Sequence, residues 1–364
     1  MIGIIFSGNI EYCPYVDKYI YALNNSSINY EILYWNRDLL EKNNVYNNQS
    51  FEHSIDNSKS KNFKIIDFFM FRNWLMRKLK LKKYKKIIIL DTLSGILISG
   101  FLKKNYYKKY IFDIRDYTYE DNKCFFNLEK NIIEKSFFTC ISSEGFKEFL
   151  PRKHEYILAH NFNYNDVVQK SNGFEKKKYG ESINIVWIGS VRYFYHQIKI
   201  INNLKNDERF NIIFHGSGPD LKRLISYCES NDIKNVLFTG RYKNNGKRDL
   251  LSNADILLNS YDINVGKEVK YAISNKYYDG IIYKIPQLVE VGTYKQELVE
   301  DKLIGIGIDV NNTSFADKLL DYYYSIDVSK FNNSCIEELN TVIEEDRIYQ
   351  EKIYSFIENS QVRR

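Results

Sequence analysis

INIVWIGSVR, residues 183–192, is an apolar run of strand length that stops on Gly189 and Ser190 and then presents Arg192. A segment of helical period follows near 195–206. The same grammar returns in FNIIFHGSGP (210–219), NVLFTGR (235–241), ADILLNS (254–260) and IPQLVEVG (285–292), with helical segments near 219–231, 246–253 and 274–283 between them. Strand-length runs alternating with helical ones predict parallel strands joined by crossover helices, an α/β architecture. Ligands of open parallel sheets lie beyond the carboxyl ends of the strands, so the residues that end each run are the first candidates for a site.

The pattern extends towards the N-terminus. GIIFSG (3–8), YEILYW (30–35), KIIILD (86–91), YIFDIRD (110–116), FFTCISS (137–143) and EYILAHN (155–161) read as strands, with helical segments near 14–25, 67–82, 94–104, 126–136 and 144–150. The Asn- and Ser-rich stretch 41–62 reads as a long loop. Apolar periodicity lapses through YNDVVQKSNGFEKKKYGES (164–182), which marks a boundary. The expected organisation is a first domain over 1–165, a linker over 166–182, a second domain over 183–335 and a terminal helix over 336–364 that packs across the domains. A length of 364 residues suits two domains, each burying its own core.

An apolar fraction of 44% with 27% charged residues is that of a globular protein. The net charge of +6 is unevenly placed: between Arg72 and Lys109 a dozen cations face Asp91 alone, a patch that attracts phosphates of a membrane, a nucleic acid or a lipid-linked substrate. Within it, DFFMFRNWLMRKLKLK (67–82) mixes aromatics with cations, as an interfacial helix does; packing of the same aromatics on a sheet is the alternative. The cysteines at 13, 124, 140, 228 and 335 form no CxxC pair, so a reducing compartment without structural zinc is expected. His160, His196 and His215 lack ligand spacing, and no metal site is expected. MIGIIFSG does not read as a signal peptide, and LSGILISGFL (93–102) is about half a membrane span. A cytosolic location, or the cytosolic face of a membrane, follows as the expectation.

Small residues at the strand ends let backbone approach a ligand, helix N-termini offer N–H groups to phosphate, and arginine forks a diphosphate. GSGP (216–219) is neither GxGxxG nor a P-loop. SNKYYDG (274–280) places Lys276 and Asp279 at i,i+3, which is either a solvated helical ion pair or part of a site.

Taken in order, IGSVR, FHGSGPDLKRL, NVLFTGRY, LLSNADILLNSYD, SNKYYDGIIYKIPQLVEVG and KLIGIGID resemble the nucleotide-sugar-binding domain of GT-B glycosyltransferases, particularly the retaining family 4 type of bacterial surface-polysaccharide assembly, capsule or O-antigen. The resemblance covers roughly 183–310; in the first half YIFDIRDYTYED (110–121) resembles that family's strand and Arg/His-Asp turn. It implies two Rossmann-like doubly wound domains facing across a cleft. Donor binding falls to Gly189, Ser190, Arg192, Gly216, Gly218, Gly240, Arg241, Asn259, Ser260, Lys276 and Asp279, with Arg192 and Lys276 on the diphosphate and Asp279 on the ribose. Family members carry two glutamates eight apart. Asp279 takes the second place, Tyr271 occupies the first, and Glu268 is the nearby substitute. The usual second cation shortly after the arginine is also replaced, since 193–198 reads YFYHQI. Asp116 and Arg115 are the candidates beside the reacting sugar, and Ser7, Gly8, Asn9 and Glu120 would border the acceptor.

The resemblance thus implies a glycosyltransferase that moves a sugar from a nucleoside-diphosphate donor to a glycan acceptor, lipid-linked in this reading, with no metal and no nucleic acid as partner. The competing readings are a GT-B sugar-nucleotide 2-epimerase or hydrolase, and a non-catalytic basic protein that binds membrane or nucleic acid on a degenerate glycosyltransferase fold.

Overall fold

A computed structural model describes residues 1–41, 45–54, 61–168, 173–243 and 246–358, with backbone alone for 61–64. The chain divides into two compact units, one of residues 1–160 with 344–364 and one of residues 161–343.

The first unit holds a parallel sheet of β1 (Ile2–Phe6), β2 (Tyr30–Asn36), β3 (Asn48–Glu52), β4 (Lys86–Ile89), β5 (Tyr110–Ile114), β6 (Phe138–Ile141) and β7 (Ile157–Leu158), in the order β3-β2-β1-β4-β5-β6-β7. Its register aligns Ile32, Ile4, Ile88, Ile111 and Phe138 in one row, all of them buried. Leu33, Ile5, Ile89 and Phe112 form the next row on the opposite face, also buried. Burial of both faces is why these strands read as continuous apolar runs instead of alternating ones.

β3 lies inside the stretch expected to be a loop. NQSFE is polar and only half-buried because it is the edge strand, held by pairing with β2 from Ile32↔Asn48 to Asn36↔Glu52, so it carries no apolar signal. The rest of that expected loop at 42–44 and 55–60 lies outside the described residues. The helix expected from 67 begins at Lys61 and runs to Lys82. Phe71, Leu75 and Leu79 pack inward, with Phe71 stacked on Trp35 at 5.1 Å, whereas Ile65, Ile66, Phe69 and Met70 are exposed. Lys86 leaves the basic patch: it is buried, donates to the Phe356 carbonyl, and burial pushes its ammonium down to about 8.

The second unit holds β8 (Ile183–Ile188), β9 (Phe210–His215), β10 (Val236–Gly240), β11 (Ile256–Leu258), β12 (Gln287–Val289) and β13 (Gly305–Gly307), all parallel, in the order β10-β9-β8-β11-β12-β13. Strand order reverses between β8 and β11. That switch point is where an open parallel sheet leaves a crevice at its carboxyl edge.

The segment expected as a linker packs into this unit. Phe174 is buried against Tyr323 and Phe331, its N–H donates to Asn332 Oδ1 at 2.8 Å, and Lys177 pairs with Asp255 at 2.7 Å; residues 169–172 lie outside the described residues. The terminal helix, expected from Ile336, starts earlier and spans Val328–Glu358. Its first part contributes Phe331, Cys335 and Val342 to the core of the second unit, and its last part contributes Tyr349, Ile353, Phe356 and Ile357 to the core of the first. The expected end of that helix, 359–364, lies outside the described residues. Among the described residues no helix is long and apolar enough to cross a membrane.

Candidate functional site

The turns that follow β8, β9 and β10 are laced together by backbone. Gly189 N–H donates to the His215 carbonyl at 2.9 Å, Gly216 N–H to Gly240 at 2.9 Å, and Val191 N–H to Ser217 at 3.0 Å. Gly216 has φ +146°, and a Cβ there would stand 1.8 Å from the Gly189 carbonyl oxygen; a Cβ on Gly218 would stand 2.3 Å from that of Val191. These glycines are required by the close passage of one turn over another.

Lys276 reaches this place from the first turn of the helix Asn275–Tyr283. It is 6% exposed, its Nζ lies 3.6 Å from the centroid of the Trp187 ring and donates to Tyr261 Oη at 2.9 Å, and a Cβ on Gly189 would sit 4.0 Å from it. Among the described residues no carboxylate pairs with it directly. Burial lowers the Lys276 ammonium from the ordinary lysine range, against the pull of Tyr261. Arg192 is exposed just beyond β8, its guanidinium 4.9 Å from the Tyr193 ring and 5.7 Å from that of Tyr261. The two expected phosphate cations therefore share one aromatic neighbour.

Asp279, one helical turn after Lys276, is buried and binds Lys247 Nζ at 2.7 Å; the same ammonium binds Asp166 at 2.8 Å. Burial pushes the Asp279 carboxyl up and Lys247 pulls it back. SNKYYDG is thus not a solvated i,i+3 pair. Its lysine and its acid are both buried, and the acid has a different partner. Gly240, at φ +76°, ends β10 and hands on to the exposed Arg241. Glu268 folds its carboxylate over Gly266, where a Cβ would meet Oε2 at 2.2 Å, and it is near enough to Tyr193 to raise that phenol slightly, behind burial and against Arg192.

Asn259 and Ser260, two of the expected ligands, are hydrogen-bonded within the frame. The Asn259 side chain donates to Gln287 Oε1 at 2.9 Å and accepts from Ser274 Oγ at 2.5 Å, which ties β11 to β12 and to the start of the Lys276 helix. Ser260 Oγ is 2.8 Å from His196 Nε2, and burial pushes that imidazole down to about 4. Sequence reasoning missed Lys295, which is 1% exposed, donates to the Asn259 carbonyl at 2.6 Å, pairs with Glu290 at 3.0 Å, and lies 4.2 Å from the Tyr261 ring. The available signal was TYKQE (293–297), a Thr-capped helix start directly after the β12 turn.

In the first unit most of the expected acceptor residues are hydrogen-bonded to other groups of the protein. Ser7 donates through N–H and Oγ to Asp91, at 2.7 and 2.9 Å, and Asp91 also caps the next helix through Ser94 N–H at 2.7 Å. Asn9 accepts from Arg37 N–H at 2.6 Å and donates to Asp38 at 2.9 Å. Gly8 is half-buried between them. Arg115 forks Asp113 at 2.6 and 2.9 Å and donates to the Ala159 carbonyl at 2.6 Å. Its guanidinium is the counter-charge of a fully buried carboxylate and is not aimed at Asp116, which is exposed at the end of β5. Glu120 is buried and accepts from Thr118 N–H at 2.6 Å, so it closes its own turn.

The architecture of both units is the GT-B fold. No family model matches the chain, and no curated protein matches it in sequence. Solved structures match along nearly its whole length. The lipopolysaccharide outer core galactosyltransferase WaaB in its apo form is 15% identical, with 99% of each chain covered, at a TM-score of 0.64. Anabaena HepE in complex with UDP is 9% identical over 98% of this chain and 100% of its own, at a TM-score of 0.69. Sucrose-phosphate synthase from Thermosynechococcus elongatus is 10% identical over 98% of this chain and 94% of its own, at a TM-score of 0.64. At these identities the fold is what is shared.

Proposed function

We propose that this chain is a glycosyltransferase that takes a sugar from a nucleoside-diphosphate donor and passes it to a glycan acceptor in bacterial surface-polysaccharide assembly. One observation carries the reading: a buried lysine, paired directly with no carboxylate among the described residues, stands at Gly189, at the switch point where a parallel sheet receives ligands. A diphosphate there meets Lys276 and Arg192, fixed positive groups that stabilise the charge gained by the departing nucleotide without reorganising. Asp279 retains acceptor capacity for ribose hydroxyls while bound to Lys247. The complex of HepE with UDP supports a nucleoside diphosphate as the ligand class, and WaaB supports a surface-polysaccharide role. Retention of stereochemistry belongs to the same reading, with the departing phosphate taking the acceptor's proton, as does transfer that needs no bound metal.

The acceptor is lipid-linked in this proposal and the protein works on the cytosolic face of a membrane. Ile65, Ile66, Phe69 and Met70 are exposed together on one helix that continues into Arg77, Lys80 and Lys82, an apolar end and a cationic end suited to an anionic bilayer surface. The test is calorimetry with UDP, GDP, ADP and CDP, followed by transfer from the matching sugar nucleotides. Binding of one diphosphate supports the donor site; binding of none removes it. Conversion of a sugar nucleotide without an acceptor would favour an epimerase or hydrolase.

A further inference from the structure

Tyr261 has no part in the binding reading, yet it stands among its cations. It is 8% exposed, and its ring centroid is 5.0 Å from Lys276 Nζ, 4.2 Å from Lys295 Nζ and 5.7 Å from the Arg192 guanidinium. Lys295 is answered by Glu290 at 3.0 Å. Lys276 donates to the Tyr261 hydroxyl at 2.9 Å, and among the described residues no carboxylate pairs with it directly, Asp279 acting on it only at longer range; a buried ammonium without a close counter-ion costs several kcal/mol. The nearest group able to become that counter-ion is the phenol.

Resting on the donor reading, we propose that in the empty site Tyr261 is the ionised counter-charge of Lys276, and that an incoming diphosphate takes over this role, so that donor binding draws one proton from solution. The balance is simple. Phosphate oxygen accepts the Lys276 N–H, the phenolate oxygen gains a proton from the buffer, and no other bond forms or breaks.

The surrounding charges agree with this. The loop after β11 supplies Tyr261 and Asp262, the end of β8 supplies Arg192 and Tyr193, and the Lys276 helix supplies Asp279, already held by Lys247. β12 and the helix Tyr294–Asp301 supply the Glu290–Lys295 pair, the short helix Lys267–Tyr271 supplies Glu268, and the helix Phe194–Asn203 supplies His196, kept neutral by burial. Burial would raise the Tyr261 phenol, but Lys276 and Lys295 outweigh it and set it below its ordinary value; burial also lowers Lys276. A bound anion raises both. Donor affinity is therefore highest at lower pH and falls as pH rises through proton loss from the empty pair, on the alkaline side of neutrality.

The experiment is titration calorimetry of UDP at about pH 8.5 in two buffers of different ionisation enthalpy, for wild type and Tyr261→Phe. A terminal phosphate has completed its second ionisation well below this pH, near roughly 6, so any uptake belongs to the protein. The expected result is uptake of about one proton by wild type, none by Tyr261→Phe, and a Kd that rises up to about tenfold per pH unit for wild type alone. UDP binding without uptake, or equal uptake by both proteins, overturns the proposal. The near-ultraviolet tyrosinate band of the empty wild-type protein is a second readout that needs no ligand. Its loss in Tyr261→Phe supports the ion pair, and its absence from wild type overturns it. If no nucleoside diphosphate binds, the donor reading is what fails, and the band alone decides the pair.

Discussion

Replacing Lys276 by Met isolates the charge at the centre of the site. The thioether keeps most of the length that packs against Trp187 and Tyr261, and removes the ammonium. Because the cost of burying that ammonium is already incurred when the chain folds, most of its attraction for a diphosphate is realised on binding. Two unit charges about 4 Å apart at an effective dielectric of about 20 give a ceiling of about 4 kcal/mol. Charge-assisted hydrogen bonds measure about 1.5–3 kcal/mol. Within that frame a loss of about 2–3 kcal/mol is expected, which is a Kd for UDP weakened roughly 30- to 150-fold. Folding should change little, since the Tyr261 phenol regains its proton once the ammonium is gone and an apolar side chain of similar volume fills its place. Calorimetry with UDP beside thermal unfolding reads both quantities on one preparation. Unchanged affinity in a folded variant would refute the phosphate assignment, and a large drop in melting temperature would refute the claim that the fold does not need this charge.

Gly216→Ala drives a Cβ towards the Gly189 carbonyl in a backbone region that disfavours side chains, so a loss of more than about 2 kcal/mol in urea unfolding and weaker UDP binding are expected; wild-type stability would show that the turns are slack. Glu129 is fully buried, and burial, followed by Glu120, pushes its carboxyl up to about 9 from an ordinary 4.5. Its folded form holds a proton that the unfolded chain releases, so stability present at low pH declines by about 1.4 kcal/mol per unit as pH rises towards that value. Glu129→Gln should therefore match wild type near pH 5 and exceed it by a few kcal/mol near pH 8; equal pH dependence of the two in denaturant titrations would remove the buried acid from the account. Ile66→Glu with Phe69→Glu should abolish salt-sensitive co-sedimentation with anionic vesicles, and undiminished sedimentation would assign the exposed face to something other than a bilayer.

The strand ends were legible because burial on both faces forces continuous apolar runs, and the turn after each run must be small where another turn passes over it. β3 was not legible: an edge strand held by backbone pairing needs no apolar signature, and NQSFE has little. Arg115 illustrates a different limit. Adjacency in sequence suggests Asp116 as its partner, but side chains alternate along a strand, so the i−2 residue Asp113 shares its face and takes its guanidinium at 2.6 Å. Lys295 was hidden by composition, since one lysine among 52 basic residues carries no mark of being buried.

The departures from the family pattern have a common geometric resolution. The second cation expected a few residues after Arg192 is replaced by YFYHQI. Positive charge is instead supplied by Lys276 and Lys295, from the helices after the β11 turn and after β12, and both converge on Tyr261 with Arg192. A parallel sheet makes this substitution easy, because every strand delivers its following turn to the same edge, and residues about a hundred positions apart become neighbours there. What binding at such an edge requires is local charge and its compensation, and the position in sequence that supplies it is free to differ. Tyr261 fits that constraint: of the two buried ammonium groups beside its ring, Lys295 is paired with Glu290 and Lys276 donates to the phenol oxygen, which is placed to supply the compensating charge.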